Sequence, residues 1–503
     1  MRGSPTSGHP AFVTVALLLA VGLPVARSVV TGLPAAAAGD ATPRGIHQTF
    51  GVDPRTTRAL SWYTSGPAAS KVFYGMSPGD LSAEGEGTTQ VVQGTYVHHV
   101  KLTGLSSNAT YFYRVGDPAA GEGALSDVRN FTTAPPRKTD ALRFWAFGDM
   151  RSNWPVRRLV ANVMVANANV TFPGAPAPAF VLASGDLVAK GTEQHLWNQL
   201  FDDYEGLHRH VPLVPVVGNH EFDAGRSAYR ENFVLPENGH DEWYYSFSWG
   251  MAHFVAADSE THGFPPYDLF DLNWLEKDAE RAAGDPAVLW RFAFWHAPPF
   301  VSASHAPRDD IARNWWPILD DAGFDLAFTG HCHLYERTYP VAPSGVPNAT
   351  GDPDYYAPEH PVLLVTGAAG MGEGPDQLPE REEDYSAFLN GSYHYCDVLL
   401  ANDHATRTTK MTVKVVAVVP RRDGSGNVLE NETDSWRLLD QFSITKPIPD
   451  AWYDVDLDVS YADLAVAGLD SPAQVIGNVL VVAGLVGVAA LVLRRRARSL
   501  APA

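Results

Sequence analysis

Cysteine is almost missing: Cys332 and Cys396 are the only two in 503 residues. That excludes a disulfide-stapled scaffold and a cysteine-rich zinc protein, and leaves one bridge between the pair as the only disulfide open to the chain. Basic residues are also short. Lys and Arg number 37 against 57 Asp and Glu, a net charge of -20 at pH 7. Nucleic acid is therefore excluded as a partner, because holding a polyanion takes a surplus of positive charge. Phosphate esters are not excluded, since bound cations reverse the local field. No internal repeat is present.

The remaining composition is that of an ordinary globular protein, with 45% hydrophobic and 19% charged residues. The length allows two or three domains and a large core. Both ends carry membrane signals. Arg2, an apolar run from Ala11 to Leu23 and the small residues Ala35 to Ala38 follow the order of a secretory signal peptide over 1–38. The same run retained as an uncleaved anchor is the alternative. Val475 to Leu493 is uncharged, with Asn478 its one strongly polar residue, and matches the hydrocarbon core of a bilayer in length. Arg494, Arg495, Arg496 and Arg498 follow at once and place the 494–503 tail in the cytoplasm. A lipid-anchor signal would end in its apolar tail, so a single span is expected, with a type I orientation and the bulk of the chain extracellular or lumenal. Asn-x-Ser/Thr triplets at Asn108, Asn130, Asn169, Asn348, Asn390 and Asn431 fit a glycosylated face, unless the source does not glycosylate.

Between the ends the patterning changes twice. From about Pro43 to 135, runs such as "ALSWYTS", "KVFYGM" and "ATYFYRVGD" are short β-rich segments punctuated by turn residues. They predict a small antiparallel β-sandwich with Trp62 and Tyr113 in its core. "TTAPPRKTD" is the expected linker. From Ala141 to 345, apolar strands end in polar loops: "LRFWAFGDM", "AFVLASGDL", "VPLVPVVGNHE", "WRFAFWHAPP" and "FDLAFTGHCH". Helical stretches such as "PVRRLVANVMVANA" and "DLNWLEKDAERAA" lie between, predicting an α/β domain with its polar residues at strand ends. Further strands fill 361–446. An acidic segment over 449–473 is expected to be a solvated stalk leading to the span.

The strand-end residues are Asp149, Asp186, Asn219, His220, His296, His331 and His333. Singly, each has a plain explanation: a carboxylate caps a helix, a Gly-Asn-His makes a turn, a histidine sits satisfied at a surface. Together they offer oxygen donors and neutral imidazoles, the mixture that suits zinc, iron or manganese. Two such ions sharing a carboxylate can clamp a phosphoryl group and acidify a water to a hydroxide nucleophile.

The ordered series "GDM", "GDLV", "GNHE", "WHAPP" and "GHCHLYER" resembles the motif set of calcineurin-like metallophosphoesterases, and within them the purple acid phosphatase group. The N-terminal segment looks like that group's fibronectin-III-like domain, and the likeness covers about residues 43 to 446. The resemblance implies a four-layer α-β-β-α catalytic sandwich holding two divalent or trivalent ions (Fe, Zn or Mn). By position, Asp186 would bridge both ions, Asp149 and His333 would complete the first site, and Asn219, His296 and His331 the second. His220 would be general acid to the leaving oxygen of a phosphorylated small molecule, and His305 a further phosphate contact. Cys332, between two ligands, is expected to point away from the ions. Two positions depart from the family. Where the purple enzymes carry a tyrosine, this chain has Ala189; where other members carry a histidine, it has Arg151. The first ion thus keeps only Asp149, Asp186 and His333, and Arg151 becomes a candidate bidentate phosphate contact. The expected activity is phosphate monoester hydrolysis. Phosphodiester or nucleotide pyrophosphate hydrolysis at the same site is an alternative, as is a surface-binding protein with weakened catalysis.

Overall fold

The computed structural model describes residues 40–222, 227–239, 242–260, 267–303, 305–371, 378 and 383–454. The expected signal peptide, span and basic tail lie outside the described residues, as does all but the start of the expected stalk. Among the described residues no helix is long and apolar enough to cross a membrane.

The N-terminal part is a sandwich of two four-stranded antiparallel sheets. One runs Arg44–Thr49, Arg58–Thr64, Thr95–Leu102, Thr88–Val92; the other runs Ala83–Glu86, Lys71–Gly75, Thr110–Val115, Arg129–Thr132. Period-two alternation sorts the side chains. In Thr110–Val115 the residues Tyr111, Tyr113 and Val115 turn inward between partly exposed Phe112 and Arg114. Leu60, Trp62 and Val100 of one sheet meet Val72, Tyr113 and Phe131 of the other, so Trp62 and Tyr113 occupy the core.

The rest is built on two seven-stranded mixed sheets. The first is ordered Leu213–Pro215, Val181–Ala183, Ala141–Phe147, His394–Asp403, Thr408–Arg422, Val428–Pro447, Asp354–Tyr356. The second is ordered Tyr245–Trp249, Ala252–Ala256, Trp290–Phe294, Leu326–Thr329, Val362–Thr366, Tyr335–Thr338, Ser386–Asn390. The sheets pack face to face. Phe144 of the first sits edge-on to Phe254 and Phe292 of the second, with ring centroids 5.2 and 5.3 Å apart. Helices Trp154–Ala166 and Gln194–His208 cover the outer face of the first sheet. Helices Tyr267–Gly284, Asp309–Asn314 and Trp316–Asp321 cover the second, where Leu275, Ile311 and Trp316 pack on Val255 and Trp295. The layers are α-β-β-α. Strands buried on both faces cannot alternate with polar residues, which is why "FWAF", "FVA" and "LAF" read as unbroken apolar runs.

One expectation is corrected, and one open question is answered. The acidic segment does not begin as a solvated stalk. Asp450–Asp454 forms a helical turn that buries Trp452 in the main core. An indole brings more apolar area than its neighbours can hold in water, and Asp450 and Asp454 stay outside while it goes in. Nor do the cysteines pair. Cys332 packs with Val301, Leu334 and Val365, whereas Cys396 lies in the main core and donates to Thr366 Oγ1 at 3.7 Å. Of the glycosylation candidates, Asn108, Asn169 and Asn348 are exposed; Asn130 and Asn390 are half-buried on strands, and Asn431 lies on the Val428–Pro447 strand.

Candidate metal centre

Parallel strands bring their ends to one edge. Ala141–Phe147, Val181–Ala183 and Leu213–Pro215 run parallel in the first sheet, as do Ala252–Ala256, Trp290–Phe294, Leu326–Thr329 and Val362–Thr366 in the second. Asp149, Asp186, Asn219, His296 and His331 each lie two to four residues past such an end, so the topology alone gathers them. Asp149, Asp186 and His331 take left-handed backbone angles, with φ of 55°, 53° and 68°. Three non-glycine residues in that region, at one edge, mark a place where the surroundings hold strain of order 1 kcal/mol each. Glycines complete the cradle. A Cβ on Gly218 would lie 2.4 Å from Asp186 Oδ1, and one on Gly330 would lie 2.4 Å from Asp149 Oδ2.

Oxygen and nitrogen donors converge in this cradle. One ligand atom each of Asp149, Asp186 and His296 lie within 4.8 Å of one another. His296 Nε2 stands 3.3 Å from Asp186 Oδ1 and 3.0 Å from Asn219 Oδ1, and His331 Nδ1 is 3.0 Å from the same Asn219 oxygen. On the other flank, His333 Nε2 is 3.5 Å from Asp149 Oδ1, and Arg151 Nε is 3.1 Å from Asp186 Oδ2. Backbone donors orient the carboxylates: His331 N–H donates to Asp149 Oδ2 and His220 N–H to Asp186 Oδ1. His296 Nδ1–H donates to Ser184 O at 2.8 Å, which fixes the ring and turns Nε2 to the centre. His220 Nδ1–H donates to Ala189 O at 2.7 Å, leaving its Nε2 facing Asp186 Oδ2 at 3.8 Å.

The electrostatics are those of a cation site. Asp149 Oδ1 is buried and accepts no hydrogen bond among the described residues, a costly state for a carboxylate oxygen. Burial pushes the Asp149 carboxyl well above its usual range. At Asp186 burial acts the same way, but His296, His220 and Arg151 outweigh it and hold the carboxyl low. Burial takes His331 down to about 3, and burial together with Arg151 takes His333 down to about 4. Both are therefore neutral imidazoles, the form that ligates. At His296 burial is overcome by Asp186 and Asp149, which raise it to about 9, so a cation would displace a proton there. The donor set, the orphaned oxygen and the neutral imidazoles fit a bound ion.

The structure places His220 and Arg151 beside Asp186, and sets the His305 ring 4.9 Å from His331 and 6.2 Å from His333. His305 Nδ1 is buried without a hydrogen-bond partner among the described residues. Arg151 does not face solvent; its side chain is 17% exposed and paired. Ala189 is exposed, and only its carbonyl serves the site. Cys332 turns into its own apolar cluster, away from the donors.

Glu221 was not singled out from sequence, although it closes the "GNHE" run. Its carboxylate accepts from Asp186 N, Gly218 N and Val188 N at 2.9, 2.9 and 3.0 Å, so it ties two of the ligand loops together. Burial and the nearby Asp186 push it up to about 8. The available signal was an acidic residue directly following Asn219 and His220 at a strand end.

Comparison with known proteins gives a consistent picture. Residues 43–133 match the model of the purple acid phosphatase N-terminal domain, and residues 142–335 match that of the calcineurin-like phosphoesterases. Acid phosphatase type 7 of Danio rerio is 27% identical over 399 residues, covering 72% of this chain and 86% of the relative. Purple acid phosphatase 23 of Arabidopsis thaliana is 28% identical over 349 residues, covering 61% and 72%. The solved structure of a purple acid phosphatase from yellow lupin seeds superposes with a TM-score of 0.64 at 19% identity, covering 83% of this chain and 77% of that one, a likeness of fold.

Proposed function

The chain is a purple acid phosphatase-like member of the calcineurin-like phosphoesterases and a binuclear-metal phosphatase, and from that premise we propose that it hydrolyses phosphate monoesters at the edge where Asp149, Asp186, Asn219, His220, His296, His331 and His333 converge. Asp186, Asn219, His296 and His331 would hold one ion; Asp149, Asp186 and His333 would hold the other. The pair of ions, when bound, supplies a Lewis-acid clamp for phosphoryl oxygens and lowers the pKa of a water.

The observation that carries the reading is the setting of His220. Its Nδ1 proton is fixed on Ala189 O, so Nε2 is the ring atom turned to the centre. As the water oxygen bonds to phosphorus and the ester P–O bond breaks, Nε2 gives its proton to the leaving oxygen, and the imidazole later recovers one from solvent. Arg151 sets its Nε 3.1 Å from Asp186 Oδ2 and has further guanidinium N–H groups to meet a phosphate oxygen, and His305 offers a ring nitrogen that has no hydrogen-bond partner among the described residues. Asp186→Ala should lose bound metal and at least about a thousandfold in p-nitrophenyl phosphate turnover, because a clamp worth several kcal/mol is removed. His220→Ala should keep its metal and lose turnover. Full activity in either variant would sink the proposal.

We also propose that this hydrolase faces the extracellular or lumenal side, tethered through 475–493. The uncharged run, the arginines behind it and the exposed triplets at Asn108, Asn169 and Asn348 support the reading. Protease added to intact cells should remove the activity; retention after shaving would overturn it.

A further inference from the structure

The N-terminal sandwich meets the catalytic part at several points, among them His47 with Asn232 O and Tyr63 with Asp202, and one of them is a two-residue turn with an unusual occupant. Val92 pairs with Thr95, so Gln93 and Gly94 alone connect two strands, with φ of 49° and 85°. Both angles positive is the type I′ hairpin turn, whose first position favours Asn, Asp or Gly. Glutamine has no local advantage there, because its amide cannot bond back to its own turn as asparagine's does. A residue that costs the turn something points to a use elsewhere.

That use lies across the domain boundary. Gln93 Nε2 donates to Thr192 O at 2.6 Å, and Gln93 Oε1 accepts from Gln194 N at 3.2 Å. The side chain thus pairs with the backbone of residues 192 and 194 as a neighbouring strand would. Thr95 adds a second point, accepting from Asn198 Nδ2 at 3.0 Å. The clamped segment is the loop that orients His220. Ala189 O receives the His220 Nδ1 proton, Gly191 N–H donates to His220 O at 2.8 Å, and Trp197 Nε1–H donates to Gly191 O at 2.9 Å. Gly191 lies so close that a Cβ there would come 2.7 Å from Glu221 Cα. Any shift of this loop therefore moves the ring of His220.

We infer that Gln93 is a positioning residue for His220: the sandwich holds the 189–194 loop, and through it the aim of the His220 Nε2 proton at the leaving oxygen. Glutamine rather than asparagine stands at the turn because the extra methylene spans the gap. The inference rests on His220 as general acid, and the test separates the two.

A general acid matters most when the leaving group is poor. On the full-length, metal-loaded enzyme, kcat is measured for p-nitrophenyl phosphate, a good leaving group, and for glycerol phosphate, a poor one. His220→Ala should lose far more on glycerol phosphate than on the nitrophenyl ester. Gln93→Ala should show the same selectivity in milder form, about tenfold on glycerol phosphate and under about twofold on the other, the scale of a misaimed rather than a missing acid. Gln93→Asn, which suits the turn and only shortens the reach, should reproduce this without loss of thermal stability. In a His220→Ala background either Gln93 change should add no further selectivity. Val91→Thr, an exposed position on the same hairpin, should alter neither ester. Equal losses or none in the Gln93 variants beside a selective His220→Ala, additivity in the double variant, or a selective loss in Val91→Thr would each overturn the inference and leave His220 in its role. A non-selective His220→Ala would overturn the His220 reading, and the inference with it.

Discussion

The two flanks of the metal centre are built unequally. On one side His296 is fully buried, its Nδ1 tied to Ser184 O, and Asn219 Oδ1 lies 3.0 Å from both His296 Nε2 and His331 Nδ1. On the other, Asp149 and His333 face each other at 3.5 Å, the position of the expected tyrosine is an exposed alanine, and a guanidinium leans on the shared carboxylate. One flank has its donors drawn together, with His296 tied to Ser184 O. The other has fewer donors and a resident positive charge. The lesson is that one strand-end frame can hold both a rigid pocket and a sparse one, because the donors on each flank come from different loops.

Four variants would break or sharpen that contrast. His296→Ala should abolish binding of the tighter ion, with a loss beyond the roughly 10–100-fold typical of removing an outer hydrogen-bond partner; His333→Ala should release only the weaker one. Elemental analysis of both variants after dialysis reads the difference, and equal losses would refute it. Arg151→Ala should raise KM for a monoester about tenfold with kcat nearly kept, as expected for one charge-assisted contact. An unchanged KM would remove Arg151 from the phosphate. Ala189→Tyr should strengthen the sparse flank a few-fold and, with ferric iron, give a visible absorption band that the wild type lacks. A coloured wild type would contradict the account.

The smallest effect concerns histidines outside the centre. Burial holds His98 and His208 down to about 3, against 6.5 for a free side chain. The unfolded chain therefore takes up protons that the folded chain refuses once pH drops below 6.5. Stability should be flat above that pH and fall below it, by about 1.4 kcal/mol per pH unit for each histidine until pH approaches 3. Melting scans should show the slope, and His98→Gln should make it shallower. An unchanged slope would mean that other groups set it.

Much of this was legible along the chain, and what was not has a common cause. The strand-end residues announce themselves because apolar runs stop at "GD", "GNH" and "GHCH", and parallel topology then brings those stops to one edge. Trp62 and Tyr113 were readable from period-two patterning. Other features had no local signature. Arg151 meets Asp186, 35 positions on, and Gln93 meets Thr192, 99 positions on. Trp452 looked like part of an acidic tail because five neighbouring carboxylates in "PDAWYDVDLDVSYAD" outvoted one indole. Such contacts depend on which surfaces the fold brings together, and periodicity carries no record of that.

The two unpaired thiols give the molecule a built-in reporter. Burial pushes Cys396 up to about 12 and Cys332 higher still, so in the folded protein neither is a thiolate and neither should react with an alkylating reagent. Cys332 sits between His331 and His333, facing the opposite way. Its rate of modification therefore counts how often the segment bearing those two imidazoles peels open, while Cys396, in the central sheet, counts how often the whole body comes apart. The ratio of the two rates, followed by mass spectrometry with and without added metal, would give the opening free energy of that segment separately from the unfolding free energy of the protein.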